Sequence, residues 1–234
     1  MPIPGIGAAA GLLSMPSLFD IRAPGVISTD FRNHSSADDW TQEDSHTPLA
    51  KGIASGGLVS SKRLFVERSV DNDWYNFIWS LAGSTLNQEA LALLTYAGTK
   101  QDWTFNAGLY LRFSDDSHFA RAGFGTTTNH NQRWHETANG GSAAGGQSSF
   151  TWSTNTPYWV RARIDASATR EVWYKIWADG DSEPGTWNTW TSTISNWPTA
   201  AGRPGIVFGA ANSGERLFCD YYSYAMDGAS APFP

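Results

Sequence analysis

YWVRARIDASATREVWYKIWADGDSEPGTWNTW, residues 158–190, reads as two strands followed by a turn. YWVRARIDAS (158–167) and TREVWYKIWAD (169–179) are each of strand length and are joined tightly at Ser167 to Thr169. The continuation KIWADGDSEPGTWNTW (175–190) sets indoles around Asp, Gly, Glu and Pro, and no strand runs straight through it. Asp179-Gly180 supplies a tight reversal, and Pro184 stiffens the exit by fixing its own φ. Whether this acidic turn is a site or a hinge decides much of the functional reading.

The same grammar extends outward. KRLFVERS (62–69), WYNFIWSLA (74–82), AGLYLRFS (107–114) and HFARAGFG (118–125) alternate their side chains between clusters of Gly, Asn, Asp and Ser. Only DDS separates the last two, which predicts a hairpin. RLFCDYYSYAMD (216–227) reads as the closing strand. TANGGSAAGGQSS (137–149) breaks the pattern and reads as a mobile surface loop. NQEALALLTYAG (87–98) is apolar on both faces when drawn as a strand, so a buried central strand and a short helix capped by Ser84 or Thr85 both fit. No repeat of solenoid or propeller period is present.

Composition agrees with β structure. The 234 residues include 12 Trp, 12 Phe and 8 Tyr, residue types that suit half-buried pleated surfaces. The formal charge of −6, without a basic run, argues against nucleic acid as a partner. No apolar stretch is long enough to suggest membrane insertion. Cys219 stands alone, which excludes an intramolecular disulfide framework and a cysteine-based zinc cluster. MPIPGIGAAAGLLSMPSLF has no Lys or Arg before its apolar part and carries Pro2, Pro4 and Pro16, so residues 1–27 read as a retained arm rather than a signal segment. Its Ile3, Leu12, Leu13, Leu18 and Phe19 favour docking onto a neighbour.

YWVRARI, then a strand ending KIWADGDSEPGTW, then GIVFGAA and CDYYSYAMDG, resemble in order the concanavalin A-like (laminin G-like) jelly-roll domains of tailed-bacteriophage structural proteins. GLYLRF followed by HFARAGFG, and STDFRNHSSADDWTQ (28–42), resemble upstream strands of the same family. The resemblance spans residues 28–234 and implies an all-β antiparallel jelly-roll sandwich behind the N-terminal arm. The family turn of W-A-D-G-x-x-E-P-x-x-W form matches at Trp177, Ala178, Asp179, Gly180, Glu183, Pro184 and Trp187. Stacking of Trp177 on Trp187 would close such a corner, and Arg161 or Arg163 would pair with Glu183.

Asp179, Asp181 and Glu183 occupy alternate positions and could bind calcium. A calcium site wants six to eight oxygens and no D-x-D-x-D-G loop is present, so a solvated, salt-bridged turn accounts for the same residues. Glycosidases of this fold class need two carboxylates across the scissile bond. No E-x-D-x-E strand supplies them, nor is there a nucleophile elbow, a P-loop or an H-E-x-x-H, and no catalytic residue is assigned. His130 and His135 read as a plain surface pair. Sugar recognition uses aromatic faces flanked by amides, which makes Asn129, Asn131, Trp134 and Trp152 the candidates, against the alternative that tryptophans pack the core.

The resemblance implies a non-enzymatic virion component, a head decoration or tail protein assembled in the host cytoplasm. It would be homo-oligomeric, mounted on other virion proteins through its arm and able to meet a cell-surface glycan. The alternative is a free carbohydrate-binding lectin or an inactive relative of glycan hydrolases.

Overall fold

A computed structural model of the chain describes residues 20–23, 25–43, 50–68, 73–100, 104–127, 130–140, 142–166, 169–210 and 212–234. Strands follow one another as β1 (Asp20–Ala23), β2 (Val26–Thr29), β3 (Trp40–Gln42), β4 (Ala50–Ser55), β5 (Lys62–Glu67), β6 (Asp73–Trp79), β7 (Gln88–Ala97) and β8 (Thr104–Asp115). β9 (His118–Thr127), β10 (His130–Asn139), β11 (Ser142–Ser149), β12 (Pro157–Ile164), β13 (Glu171–Ala178), β14 (Asn188–Thr191), β15 (Arg203–Ala210) and β16 (Arg216–Met226) complete them.

They form two antiparallel sheets, as expected of a jelly-roll sandwich. The nine-stranded sheet runs β1-β2-β16-β7-β12-β13-β14, with β5 also pairing β16 and β4 pairing β5. The seven-stranded sheet runs β11-β10-β9-β8-β15-β6-β3. The last two strands are therefore internal: β15 lies between β8 and β6, and β16 joins β7 to β2 and β5. The boundary expected after residue 27 falls inside β2, because residues 20–23 and 26–29 already pair into the sheet. Ile3, Leu12, Leu13, Leu18 and Phe19 lie outside the described residues.

The ambiguous segment 87–98 is the central strand β7. Its Ala90, Ala92, Leu94 and Tyr96 enter the core between the sheets, while Leu91 and Leu93 join a second cluster on the outer face. Both faces are covered, which is why no polar stripe marks the strand in the sequence. Each leucine so buried contributes about 1.5–3 kcal/mol. Thr85 caps no helix; its hydroxyl donates to Asp227 Oδ1 at 3.0 Å.

The outer face of the nine-stranded sheet is covered by loop 56–61 and by the C-terminal tail. Asp220, at the bulge where β16 shifts register against β7, accepts from Leu58 N at 2.8 Å and so holds the loop. Burial raises the Asp220 carboxyl above its ordinary value. In the tail, Ala231 N donates to Glu89 Oε1 at 3.0 Å, Tyr221 and Ser223 hydroxyls donate to Pro232 O, and the Phe233 ring lies edge-on to Trp159 at 5.4 Å. Between the sheets, Trp40 and Trp79 stack at 5.7 Å with Tyr222 edge-on to both. Cys219 is buried in β16 and its thiol is pushed up by burial, so it packs as a small hydrophobe.

The glycine-rich stretch expected as a loop is instead the end of β10 and the edge strand β11. A Cβ at Gly145 would lie 2.5 Å from His135 O, and one at Gly146 would lie 2.8 Å from His135 Nε2. Glycine here serves close approach to β10.

Candidate functional site

The acidic turn is a hinge. Gly180 takes φ +92°, and Asp181 N donates to Ala178 O at 3.2 Å across the reversal. Asp179 Oδ1 accepts from the Trp159 indole at 2.8 Å. Glu183 Oε1 lies 2.8 Å from Lys175 Nζ and 3.4 Å from Arg161 Nε, so the partner expected for Glu183 is found in Arg161. Arg163 instead faces Asp165 at 4.0 Å. Trp177 does not stack on Trp187. It lies nearly parallel to Trp159 at 6.3 Å, under Phe233, while Trp187 sits over Lys175 Nζ at 4.6 Å. The turn beyond Pro184 carries Trp187 across Lys175 rather than back over Trp177.

The calcium reading of Asp179, Asp181 and Glu183 does not fit this geometry. Two of the three carboxylates are engaged by an indole and by cations, Asp181 stands exposed, and no three His, Cys, Asp or Glu side chains converge among the described residues.

Of the glycan candidates, only the side chain of Trp152 is described. Trp152 is 1% exposed, with its indole donating to Gly125 O at 2.8 Å and its ring packed against Phe124 and Tyr96. It presents no face to a sugar and is core. Asn129 lies outside the described residues, and of Asn131 and Trp134 only the places in β10 are described, Trp134 opposite Gly123 and Gln147.

His135 is buried rather than a member of a surface pair. Its Nδ1 is 3.1 Å from the Tyr174 hydroxyl, its ring lies 4.9 Å from Trp190, and burial lowers its pKa to about 4. A histidine whose folded pKa is depressed is stabilising above its ordinary 6.5, and that contribution is lost as pH falls from 6.5 towards 4. At about 1.4 kcal/mol for each tenfold change in proton affinity, the wild type is expected to lose about 2 kcal/mol more than His135→Gln between pH 7 and pH 5. Urea midpoints at both pH values check this; equal losses would mean that His135 is not the titrating group.

The pocket of interest lies elsewhere, at the rim where β7 begins and β12 and β16 end. A cavity of about 370 Å³ opens there between Asn87, Glu89, Arg163, Asp165, Asp227 and Gly228. The chain turns out of β16 at Asp227 and Gly228, with φ of 54° and 90°. Asn87 ties two walls together, its Oδ1 accepting from Ala166 N at 2.8 Å and its carbonyl from Asp227 N at 3.1 Å. Glu89, which also lines the cavity, is paired with Arg161 Nη1 at 2.7 Å and accepts from Ala231 N of the tail at 3.0 Å.

Arg112 builds this rim. Its side chain is buried at 1% exposure and donates to Leu86 O at 2.7 Å, Pro198 O at 2.7 Å and Asp165 O at 2.6 Å, with Trp197 beside the guanidinium at 5.1 Å. Its backbone N donates to Gln88 Oε1 at 2.7 Å, and Gln88 Nε2 donates to Thr85 O and Gly202 O. One residue thus fixes three loops. Burial lowers its pKa to about 10, which leaves it charged at neutral pH.

Sequence reasoning missed this site. Alternation through GLYLRF groups Arg112 with Tyr110, but the bulge between Leu111 and Asp115, with Arg112 at φ 50°, turns Arg112 towards the rim. The visible signal was the Asp227-Gly228 dipeptide that ends β16.

No family model matches the chain, and no curated protein matches it by sequence. Solved structures do match in fold. Lectin II from Ulex europaeus superposes with a TM-score of 0.55 at 12% identity, covering 86% of this chain and 97% of that one. A lectin from Bauhinia forficata in complex with GalNAc gives 0.57 at 8% identity, covering 86% and 96%. The exoplasmic/lumenal domain of VIP36, in a Ca²⁺/Man3GlcNAc-bound form, gives 0.53 at 10% identity, covering 84% and 91%.

Proposed function

We propose that the chain is a non-enzymatic, lectin-like carbohydrate-binding domain, and that its sugar pocket is the rim cavity. The observation that carries this reading is a cavity of about 370 Å³, of mixed polar and apolar lining and small-ligand size, bordered by Asp165, Asp227, Asn87 and Arg163. Carboxylates and amides accept from sugar hydroxyls, the guanidinium donates to them, and Leu86 beside Asn87 is 37% exposed and offers an apolar neighbour for ring C–H groups. The similarity to lectins supports the carbohydrate-binding alternative over a purely structural role.

The test is a glycan screen followed by calorimetry. A bound sugar is expected to raise Tm, since it binds only the folded state. Asp227→Asn, which tolerates the left-handed φ of this position and still accepts from Thr85, and Arg163→Ala are expected to weaken that sugar about tenfold or more, about 1.4 kcal/mol, with little change in Tm of the free protein. A sugar whose affinity ignores both variants would place the site elsewhere, and a screen without hits would remove the reading.

The virion reading is a second proposal. It rests on the resemblance to phage domains and on the arm with Ile3, Leu12, Leu13, Leu18 and Phe19; in such a particle the same pocket would face a cell-surface glycan.

A further inference from the structure

Asn139 is the only asparagine of the chain followed by glycine, and it stands where β10 turns towards β11. Asparagine before glycine is the pair in which a backbone nitrogen most readily reaches the neighbouring side-chain carbonyl, because no Cβ shields the glycine nitrogen or restricts its backbone. Gly140 is exposed, with φ of 66°, and a Cβ there would meet nothing within 4 Å.

A base is aimed at that nitrogen. His118, the first residue of β9, is directly opposite Asn139 in the pairing of β9 with β10. Its Nε2 lies 3.1 Å from Gly140 N, and its Nδ1 lies 2.8 and 3.0 Å from the two carboxylate oxygens of Asp115. A backbone N–H only donates, so Nε2 accepts. Nδ1 therefore carries the ring proton and donates it to Asp115, which fixes the tautomer. Asp115 is itself held by Ser117 N, which donates to its Oδ1 at 2.8 Å. This is the order of a general base and its orienting carboxylate, ending on a backbone amide instead of a hydroxyl. The 3.1 Å separation falls within the reach of about 3.2 Å that proton abstraction needs.

We propose that Asp115, His118, Asn139 and Gly140 form a self-modification site that converts Asn139 into a cyclic succinimide and then into an aspartyl or isoaspartyl residue. The Gly140 nitrogen attacks Asn139 Cγ as its proton passes to His118 Nε2. The new N–Cγ bond closes a five-membered ring, the Cγ–Nδ2 bond breaks, and the imidazolium returns the proton to the departing nitrogen, which leaves as ammonia. Water then opens the ring at either carbonyl, so the whole sequence exchanges ammonia for water and needs no oxidant, metal or cofactor. The reacting groups sit on adjacent residues, so the fold has only to supply the base. His118 is the catalytic residue and Asp115 positions it. The product sets a carboxylate opposite His118 and makes the chain one charge more negative than its formal −6.

Peptide mapping of the full folded chain after incubation at neutral pH tests this, with mass spectrometry reading loss of ammonia and then gain of water at Asn139. Folded wild type is expected to react faster than the same chain unfolded in guanidinium chloride, because only the fold brings His118 to Gly140. His118→Gln offers Gly140 N an acceptor but no base, and is expected to slow the reaction about tenfold or more. Asp115→Ala is expected to slow it several-fold, and Asp115→Glu to recover most of that loss. Thermal melting establishes that each variant is folded at the temperature of incubation. The comparison of folded with unfolded wild type needs no variant and decides the matter even if His118→Gln does not fold. An Asn139 that stays intact in the folded chain, or reacts there no faster than in the unfolded one, overturns the proposal. So does a folded His118→Gln that reacts at the wild-type rate. Equal rates in wild type and Asp115→Ala overturn the part given to Asp115.

Discussion

Arg112→Met is expected to lower the free energy of unfolding by about 3–5 kcal/mol and Tm by on the order of 10 °C. Methionine keeps an apolar stem beside Trp197, so packing is largely retained and the loss isolates the guanidinium. What remains are the carbonyls of Leu86, Pro198 and Asp165, facing one another without a donor. An unsatisfied buried acceptor costs about 1–3 kcal/mol, and water entering from the rim relieves part of the sum. Arg112→Lys is expected to recover less than half of the loss, because an ammonium is a compact charge that does not span three carbonyls as the planar fork does. Urea denaturation with linear extrapolation measures both. A loss below about 1 kcal/mol for Arg112→Met would mean that the three loops are held by something other than this residue.

At the other end of β7 the corresponding post is an anion. Glu215 is 5% exposed; its Oε1 accepts from Thr99 N at 2.7 Å and from Asn212 Nδ2 at 3.1 Å, and its Oε2 from the Tyr96 hydroxyl at 2.9 Å and Asn212 N at 3.1 Å. Burial, and then the neighbouring Glu215 charge, push the Tyr96 phenol up, so it stays a neutral donor. Glu215→Ala strands these donors and is expected to cost about 3–4 kcal/mol, since bonds to a charged acceptor contribute about 1.5–3 kcal/mol each but share one carboxylate. Glu215→Gln keeps the shape but turns one oxygen into a donor that must face donors, and is expected to cost about half as much. Equilibrium unfolding of the two variants side by side checks the order. If Gln proves as stable as Glu, the carboxylate charge is not what holds this end together.

How far the sequence was legible follows from where side chains obey a period. β5, β6, β8, β9, β12, β13 and β16 were readable because alternation and turn residues agreed at each. β11 was not: its glycines signal a loop when read locally, whereas in the fold they pair with β10 and admit the close approach of the His135 ring and backbone. β7 stayed open between helix and strand because both its faces are covered, one by the opposite sheet and one by a second cluster that loop 56–61 and the tail beyond Met226 complete. The hinge at Gly180 and the partnership of Glu183 with Arg161 were legible, being local turn chemistry and charge. The Trp177–Trp187 stack and the exposure of Trp152 were not, since which indole meets which depends on the paths of distant segments. The rim pocket depends on a bulge that reverses the facing of one arginine, and a bulge leaves no period to read.

The placement of β15 and β16 has a consequence for how the protein comes to be made. Without β15 the seven-stranded sheet is two fragments, β11 to β8 on one side and β6 with β3 on the other. Without β16 the nine-stranded sheet is likewise severed, with β7 to β14 apart from β1 with β2 and from β4 with β5. A ribosome therefore delivers both joining pieces after every strand that they connect, and until then the nascent chain can hold only unconnected hairpins and fans. Closure of the sandwich waits for β15 and β16, which complete the two layers in succession.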